Sequence, residues 1–219
     1  MRVQRLKSKI RCVIYDCDGV LFDSFEANTR LYNDLCALVG RGRLSEEEMK
    51  YVHIHTVFEA MRFIFGKESD LEKKALEILK ERQVDLRNYV EYLKIEPHLF
   101  QTLEKLKEKG ILRVINTNRT TSMKYVMERF DLDPYFEMVV TALDVNNPKP
   151  HPESVEKIVA AFKLKKEEAV FIGDSEVDKQ TAESSGVRFI AYKNREIAND
   201  LFIEDHLDLL NLILNRKAA

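Results

Sequence analysis

Two aspartates one residue apart, Asp16 and Asp18, close the apolar run Val13-Ile14-Tyr15 and are followed at once by Gly19. Carboxylates that close resist being ionised together unless a cation or a proton intervenes, so the pair suggests a metal site, an acid/base pair, or both. Asp-Gly is also a common turn dipeptide, and taken alone the segment reads equally well as a solvated turn. Three further clusters carry complementary groups: Thr117-Asn118, Lys149 in Asn147-Pro148-Lys149-Pro150-His151-Pro152, and Gly173-Asp174-Ser175 with Asp178. A hard Mg²⁺ ion wants oxygen ligands, a phosphate wants a hydroxyl and a cation, and an aspartate can accept a phosphoryl group covalently. The four clusters together are equipment for phosphoryl transfer, provided the fold brings them to one place.

The surrounding pattern supplies such a fold. Val13 to Tyr15 reads as a buried strand ending at a polar turn. From Pro97 helix and strand alternate: a helix through Leu99, Leu103 and Leu106 closed by Lys109-Gly110, then a strand from Ile111 to Ile115. A helix from about 121 to 130 and a strand at 138–141 follow. After them come a helix from Pro152 to Phe162, a strand at 169–172, a helix up to Gly186, and Phe189 to Tyr192 as the last clear strand. Alternation of this kind predicts an α/β fold, a Rossmann-like parallel sheet covered by helices on both faces. All four polar clusters then sit at carboxyl ends of strands, the edge where open α/β sheets bind ligands.

Residues 24–94 read differently. Leu31, Leu35, Leu38 and Val39 fall at helical spacing before Gly40, and Ser45-Glu46-Glu47-Glu48 has the form of an N-cap and acidic first turn. Val57, Met61, Ile64 and Phe65 form another apolar face stopped by Gly66, and one amphipathic stripe runs from Asp70 to about Lys94. The segment is expected to be an inserted helical domain, with residues 1–23 and 95–219 forming the core. His53-x-His55 within it has the spacing of a metal pair, but no third ligand accompanies it. Of the remaining polar residues, Cys17 points away from the aspartates on a strand and reads as a small buried apolar residue, while His151 reads as a cap for the next helix.

Composition narrows the classes. The 219 residues are 45% hydrophobic and 33% charged, enough for a substantial core. Lys plus Arg number 35 against 37 acidic residues, so a formal charge of -2 offers no electrostatic case for nucleic acid or an anionic membrane. Three cysteines without a CxxC spacing argue against a disulfide framework or zinc ribbon and fit a reducing cytoplasm. No window is apolar enough to span a bilayer, and the basic N-terminus lacks a signal core. The sequence does not give an oligomeric state.

In order and spacing, Asp-x-Asp-Gly at 16–19, Thr-Asn at 117 and 118, Lys-Pro-x-Pro at 149–152 and Gly-Asp-Ser-x-x-Asp at 173–178 resemble the haloacid dehalogenase superfamily. The likeness is to the branch with a helical cap after the first motif, among its phosphoglycolate-phosphatase-like and β-phosphoglucomutase-like members. It implies that Asp16 is the nucleophile and that Asp18 protonates the leaving oxygen and then activates water. It also implies that Asp16, the Asp18 carbonyl and Asp174 hold Mg²⁺, with Asp178 ordering them from behind. Thr117, Asn118 and Lys149 would bind and balance the phosphoryl group. Related caps often carry a glycine near the position of His53, and this departure makes His53, His55 and Arg62 candidates for substrate selection. The expected activity is a Mg²⁺-dependent phosphatase of a small phosphorylated metabolite, acting through an aspartyl phosphate. A sugar-phosphate mutase, which shares all four motifs and often has valine at the position of Val20, stays open, as does a non-catalytic module that binds a phosphometabolite. Asp18 speaks against a dehalogenase or phosphonatase, since those branches lack the second aspartate.

Overall fold

The computed structural model describes residues 9–54, 57–81 and 84–214, with the backbone alone at residues 53, 54 and 58. It divides into two compact units, one formed by Met1–Phe22 with Ile95–Ala219 and the other by Asp23–Lys94.

The first unit is built on a six-stranded sheet. Its strands are β1 (Cys12–Tyr15), β4 (Leu112–Asn116), β5 (Met138–Val140), β6 (Ala169–Gly173), β7 (Arg188–Tyr192) and β8 (Phe202–Ile203). They lie in the order β5-β4-β1-β6-β7-β8 with parallel pairings. Two short strands, β2 (Phe22–Asp23) and β3 (Lys94–Ile95), mark where the chain leaves and re-enters this unit. β1 is central and fully buried, which is why its four residues are apolar without alternation.

Successive side chains of the strands serve opposite faces. On one, Cys12, Ile14, Val114 and Phe171 pack with Val155 and Ile158 of α8 (Glu153–Ala161) and Ala182 of α9 (Glu176–Ser185). On the other, Tyr15 meets Phe136 edge-on at 6.1 Å, and lies 6.0 Å from His206, the first residue of α10 (His206–Leu214). α6 (Leu99–Glu108) packs against both β4 and α10. α7 (Ser122–Arg129) links β4 to β5. The sheet extends one strand beyond the sequence expectation. β8 has only two residues, too few to leave a period, and is recruited by pairing of Ala191 with Phe202 and Tyr192 with Ile203.

The second unit consists of α1 (Phe25–Leu38), α2 (Glu46–Ile54), α3 (Val57–Phe65), α4 (Asp70–Lys80) and α5 (Arg87–Val90) around a core that includes Leu35, Cys36, Ala60, Met61, Ala75 and Ile78. The start of α2 is a reciprocal cap: Ser45 Oγ accepts from the Glu48 N–H at 3.2 Å, and Glu48 Oε2 accepts from the Ser45 N–H at 2.8 Å. Gly66, at φ +86, ends α3 in the left-handed region. The single stripe expected from Asp70 to Lys94 is two helices. α4 closes at Glu81, and the Asp85 carboxylate accepts the Arg87 N–H at 3.0 Å, a local turn at the start of α5. Apolar periodicity carried across this break because Leu86, Tyr89 and Leu93 happen to continue it. Among the described residues no helix is long and apolar enough to cross a membrane.

Ile14 touches the core from the middle of the central strand, so Ile14→Ala should cost about 2–5 kcal/mol in chemical denaturation. A loss below about 1 kcal/mol would mean that this face is not the packed core described.

Candidate active site

The register of the sheet sets the site. Tyr15 pairs with Ile115 on one side and Ile172 on the other, so Asp16, Asn116-Thr117 and Gly173-Asp174 leave the sheet level with one another. The Asp16 N–H still donates to the Ile172 carbonyl at 2.9 Å, and the Thr117 N–H to that of Val140 at 2.9 Å. The loop carrying Lys149 is tied to the end of β4 by two side-chain amides. Asn118 Nδ2 donates to the Lys149 carbonyl at 3.0 Å, and Asn116 Nδ2 donates to Ser154 Oγ at 2.9 Å.

The Lys149 ammonium donates to Asp16 Oδ1 and to Asp178 Oδ1, each at 2.6 Å. Asp178 is completely buried, and its other oxygen accepts from Ser175 Oγ at 2.6 Å. Ser175 in turn caps α9 through the Asp178 N–H at 3.3 Å. Carboxylate oxygens of Asp16, Asp174 and Asp178 lie within 4.8 Å of one another. Burial, and then the Asp178 charge, pushes the Asp16 carboxyl up to about 7 despite Lys149. Burial together with Asp178 and Asp16 holds Asp174 well above the carboxylate range. Burial opposes the charge on Lys149, but Asp16 and Asp178 outweigh it and raise the ammonium. Three carboxylates facing one ammonium form an oxygen-rich, under-neutralised set, the donor chemistry of a hard divalent cation.

Two glycines admit these aspartates. Gly19 sits at φ +74, and a Cβ there would fall 1.9 Å from Asp174 Oδ2. A Cβ on Gly173 would fall 2.2 Å from that of Asp178. Asp178, expected to stand behind the ligands, falls within the same 4.8 Å span as Asp16 and Asp174.

Asp18 turns to a partner that the sequence reading missed. Arg119 Nε donates to Asp18 Oδ2 at 2.7 Å and Nη2 to Oδ1 at 2.6 Å, a two-pronged pair. The Arg119 N–H also donates to Thr117 Oγ1 at 3.0 Å. The available signal was its place in Thr117-Asn118-Arg119, a permanent cation directly after a candidate anion-binding pair. His206 was missed as well. It is buried, its Nε2 lies 2.8 Å from the Val20 carbonyl in the loop that follows Asp18-Gly19, and burial lowers it to about 4, so the neutral ring donates there.

The other candidates fall as follows. Cys17 is buried, and desolvation raises its thiol far from nucleophilic readiness. His151 Nδ1 accepts the Glu153 N–H at 3.3 Å, a cap at the start of α8. Arg62 lies on α3 with Nε 3.7 Å from Glu72 Oε1 of α4, a contact internal to the helical unit. His53 belongs to α2, and His55 lies outside the described residues.

Comparison with known proteins adds to this geometry. The family described as haloacid dehalogenase-like hydrolase matches residues 13–192. A Caldanaerobacter subterraneus protein named as a candidate pyrophosphatase, PpaX, is 29% identical over 94% of this chain and 95% of its own. Phosphoglycolate phosphatase of Rhodobacter capsulatus is 26% identical over 82% of this chain and 83% of its own. A crystal structure of a HAD-superfamily hydrolase, subfamily IA, from Geobacter sulfurreducens is 39% identical, covers 93% of this chain and 96% of its own, and superposes with a TM-score of 0.77.

The raised Asp16 carboxyl has a consequence for stability. An acid whose value rises from 3.8 in the ordinary state to about 7 in the fold binds its proton more tightly when folded. Its contribution to stability is full below the ordinary value and is lost as pH rises through the folded one. In chelator the protein should therefore melt at lower temperature near about pH 8 than near about pH 5, and Asp16→Asn should flatten that slope. Scanning calorimetry of both proteins decides it, and an unchanged slope in the variant would remove Asp16 as the cause.

Proposed function

The chain belongs to the haloacid dehalogenase-like hydrolase family, and from this we propose that it is a metal-dependent phosphatase of a small phosphorylated metabolite, acting through a phosphoaspartate at Asp16. The observation that carries the reading is the Lys149 ammonium set between Asp178 and Asp16, the latter close to Asp174 and two residues from Asp18 in sequence. The names of the pyrophosphatase and phosphoglycolate phosphatase relatives support hydrolysis of a compact phosphate compound.

In the first half-reaction an Asp16 carboxylate oxygen bonds to phosphorus as the bond from phosphorus to the leaving oxygen breaks, and Asp18 gives that oxygen a proton. In the second, Asp18 takes a proton from water, whose oxygen attacks the phosphoaspartate. Inorganic phosphate leaves and the Asp16 carboxylate is restored. The Thr117 hydroxyl and the Asn118 N–H address phosphoryl oxygens, and Lys149 offsets the charge gathered between nucleophile and phosphate. Asp16, Asp174 and the Asp18 carbonyl would hold Mg²⁺, with Asp178 fixing Lys149 beside them. When bound, the ion neutralises the carboxylates and polarises the phosphoryl group. Unit Asp23–Lys94 is proposed as a cap that selects the leaving group, with His53, His55 and Arg62 as the residues to vary.

The purified chain should release inorganic phosphate from pyrophosphate or phosphoglycolate, stop in excess EDTA, and recover with Mg²⁺. A folded Asp16→Asn variant should be inactive, and an acid quench of the wild type should leave radiolabelled phosphate on Asp16. Appreciable turnover by Asp16→Asn would sink the covalent route, and full activity in chelator would sink the metal. Transfer to a second hydroxyl without phosphate release would make the protein a mutase.

A further inference from the structure

Both carboxylate oxygens of Asp18 are taken by one guanidinium, at 2.7 and 2.6 Å. On the phosphatase reading, on which this inference rests, Asp18 must meet the leaving oxygen, and a carboxylate clasped on both oxygens is not presented to it. The pair has to open during turnover. Arg119 cannot shed its charge, and only 15% of its side chain is exposed, so leaving it without a partner is costly. It parts from Asp18 only if another oxyanion takes the carboxylate's place.

Position says where that oxyanion would come from. Arg119 directly follows Thr117 and Asn118, and its own N–H is bonded to the Thr117 hydroxyl oxygen, so it is fixed to the strand end that addresses the phosphoryl group. Its guanidinium points to Asp18, the residue assigned to the leaving oxygen, and not to Asp16. It therefore serves the leaving-group side. Lys149 does not compete for this role, because Asp16 and Asp178 already share it.

We infer that Arg119 is the specificity-determining anchor for a second anionic group on the leaving group, which it takes in exchange for the Asp18 carboxylate. The substrate class is then a compact compound with an oxyanion close to the scissile phosphate, either a second phosphate, as in pyrophosphate, or a carboxylate, as in a phosphorylated hydroxy acid. Such a substrate recruits Asp18 as it binds, and the carboxylate freed from the guanidinium takes up from water the proton that it then gives to the leaving oxygen. A neutral leaving group leaves the Arg119–Asp18 pair closed and turns over poorly, so the pair screens substrates before any bond is broken.

The test compares Arg119→Ala and Arg119→Lys with the wild type on pyrophosphate, phosphoglycolate and glycerol 1-phosphate. The ratio of kcat/KM for an anionic leaving group to that for glycerol 1-phosphate should fall by at least about thirtyfold in Arg119→Ala, mainly through KM, and recover in part in Arg119→Lys. Whichever of pyrophosphate and phosphoglycolate loses more names the oxyanion. Equal loss on all three substrates would reduce Arg119 to holding Asp18 in place, and no loss would put the anchor elsewhere. A second measurement needs no turnover: in an Asp16→Asn background, calorimetry should show Arg119→Ala weakening pyrophosphate far more than orthophosphate. If the wild type hydrolyses none of the three substrates, the phosphatase reading fails, while this binding difference still decides whether Arg119 is an anion anchor.

Discussion

One ammonium holds the site together. Lys149 stands between a carboxylate at the end of the central strand and another on the first turn of α9, and both would be untenable neighbours in a buried place without it. The rest is support for that contact. Asn118 and Asn116 fasten the lysine loop, Ser175 occupies the spare oxygen of Asp178, and Gly19 and Gly173 give up their side chains so that Asp174 and Asp178 can come close. The arrangement is short of positive charge by design of its parts. A balanced buried ion pair would be inert, whereas three acids against one base leave room for a cation or a proton.

The sheet was legible because buried parallel strands read as largely apolar runs, and those of β1, β4 and β6 stop at polar residues that the register lines up. Asp16 and Asp174 stood out for the same reason, since charged residues at the ends of apolar runs are unexpected unless something uses them, and Lys149 stood out by its place in a proline-rich loop between two strands. What stayed hidden left no periodic trace. β8 is two residues long, and the break between α4 and α5 depends on one aspartate bonding to its neighbour's backbone. His206 is an ordinary letter in its local context, and Arg119 has only its place after Thr117-Asn118 to mark it. Their importance comes from a partner about a hundred or more residues away, Asp18 for one and the Val20 carbonyl for the other, and only the folded chain supplies it.

The two units divide the labour in sequence as well as in space. In Asp23–Lys94 the polar residues mostly cap, pair and terminate helices, as Ser45, Glu48, Ser69 and Asp85 do. Each such contact is settled within a few residues, so this unit can drift in surface chemistry without disturbing its own core. In the sheet unit the polar residues that matter answer to distant strands, and a change at one is felt at several.

The position of β1 at the centre of the sheet also bears on how the protein is made. It is made before its partners, β4 and β6, which follow it by about a hundred and by more than a hundred and fifty residues. Throughout that interval Cys-Val-Ile-Tyr has no neighbour on either edge, while the helices of Asp23–Lys94, which pack within their own unit, emerge and can close on themselves. The nascent chain thus carries an unpaired apolar strand through that interval, and the aspartates that terminate it, Asp16 and Asp18, put charge at its open end until the lysine and the arginine arrive.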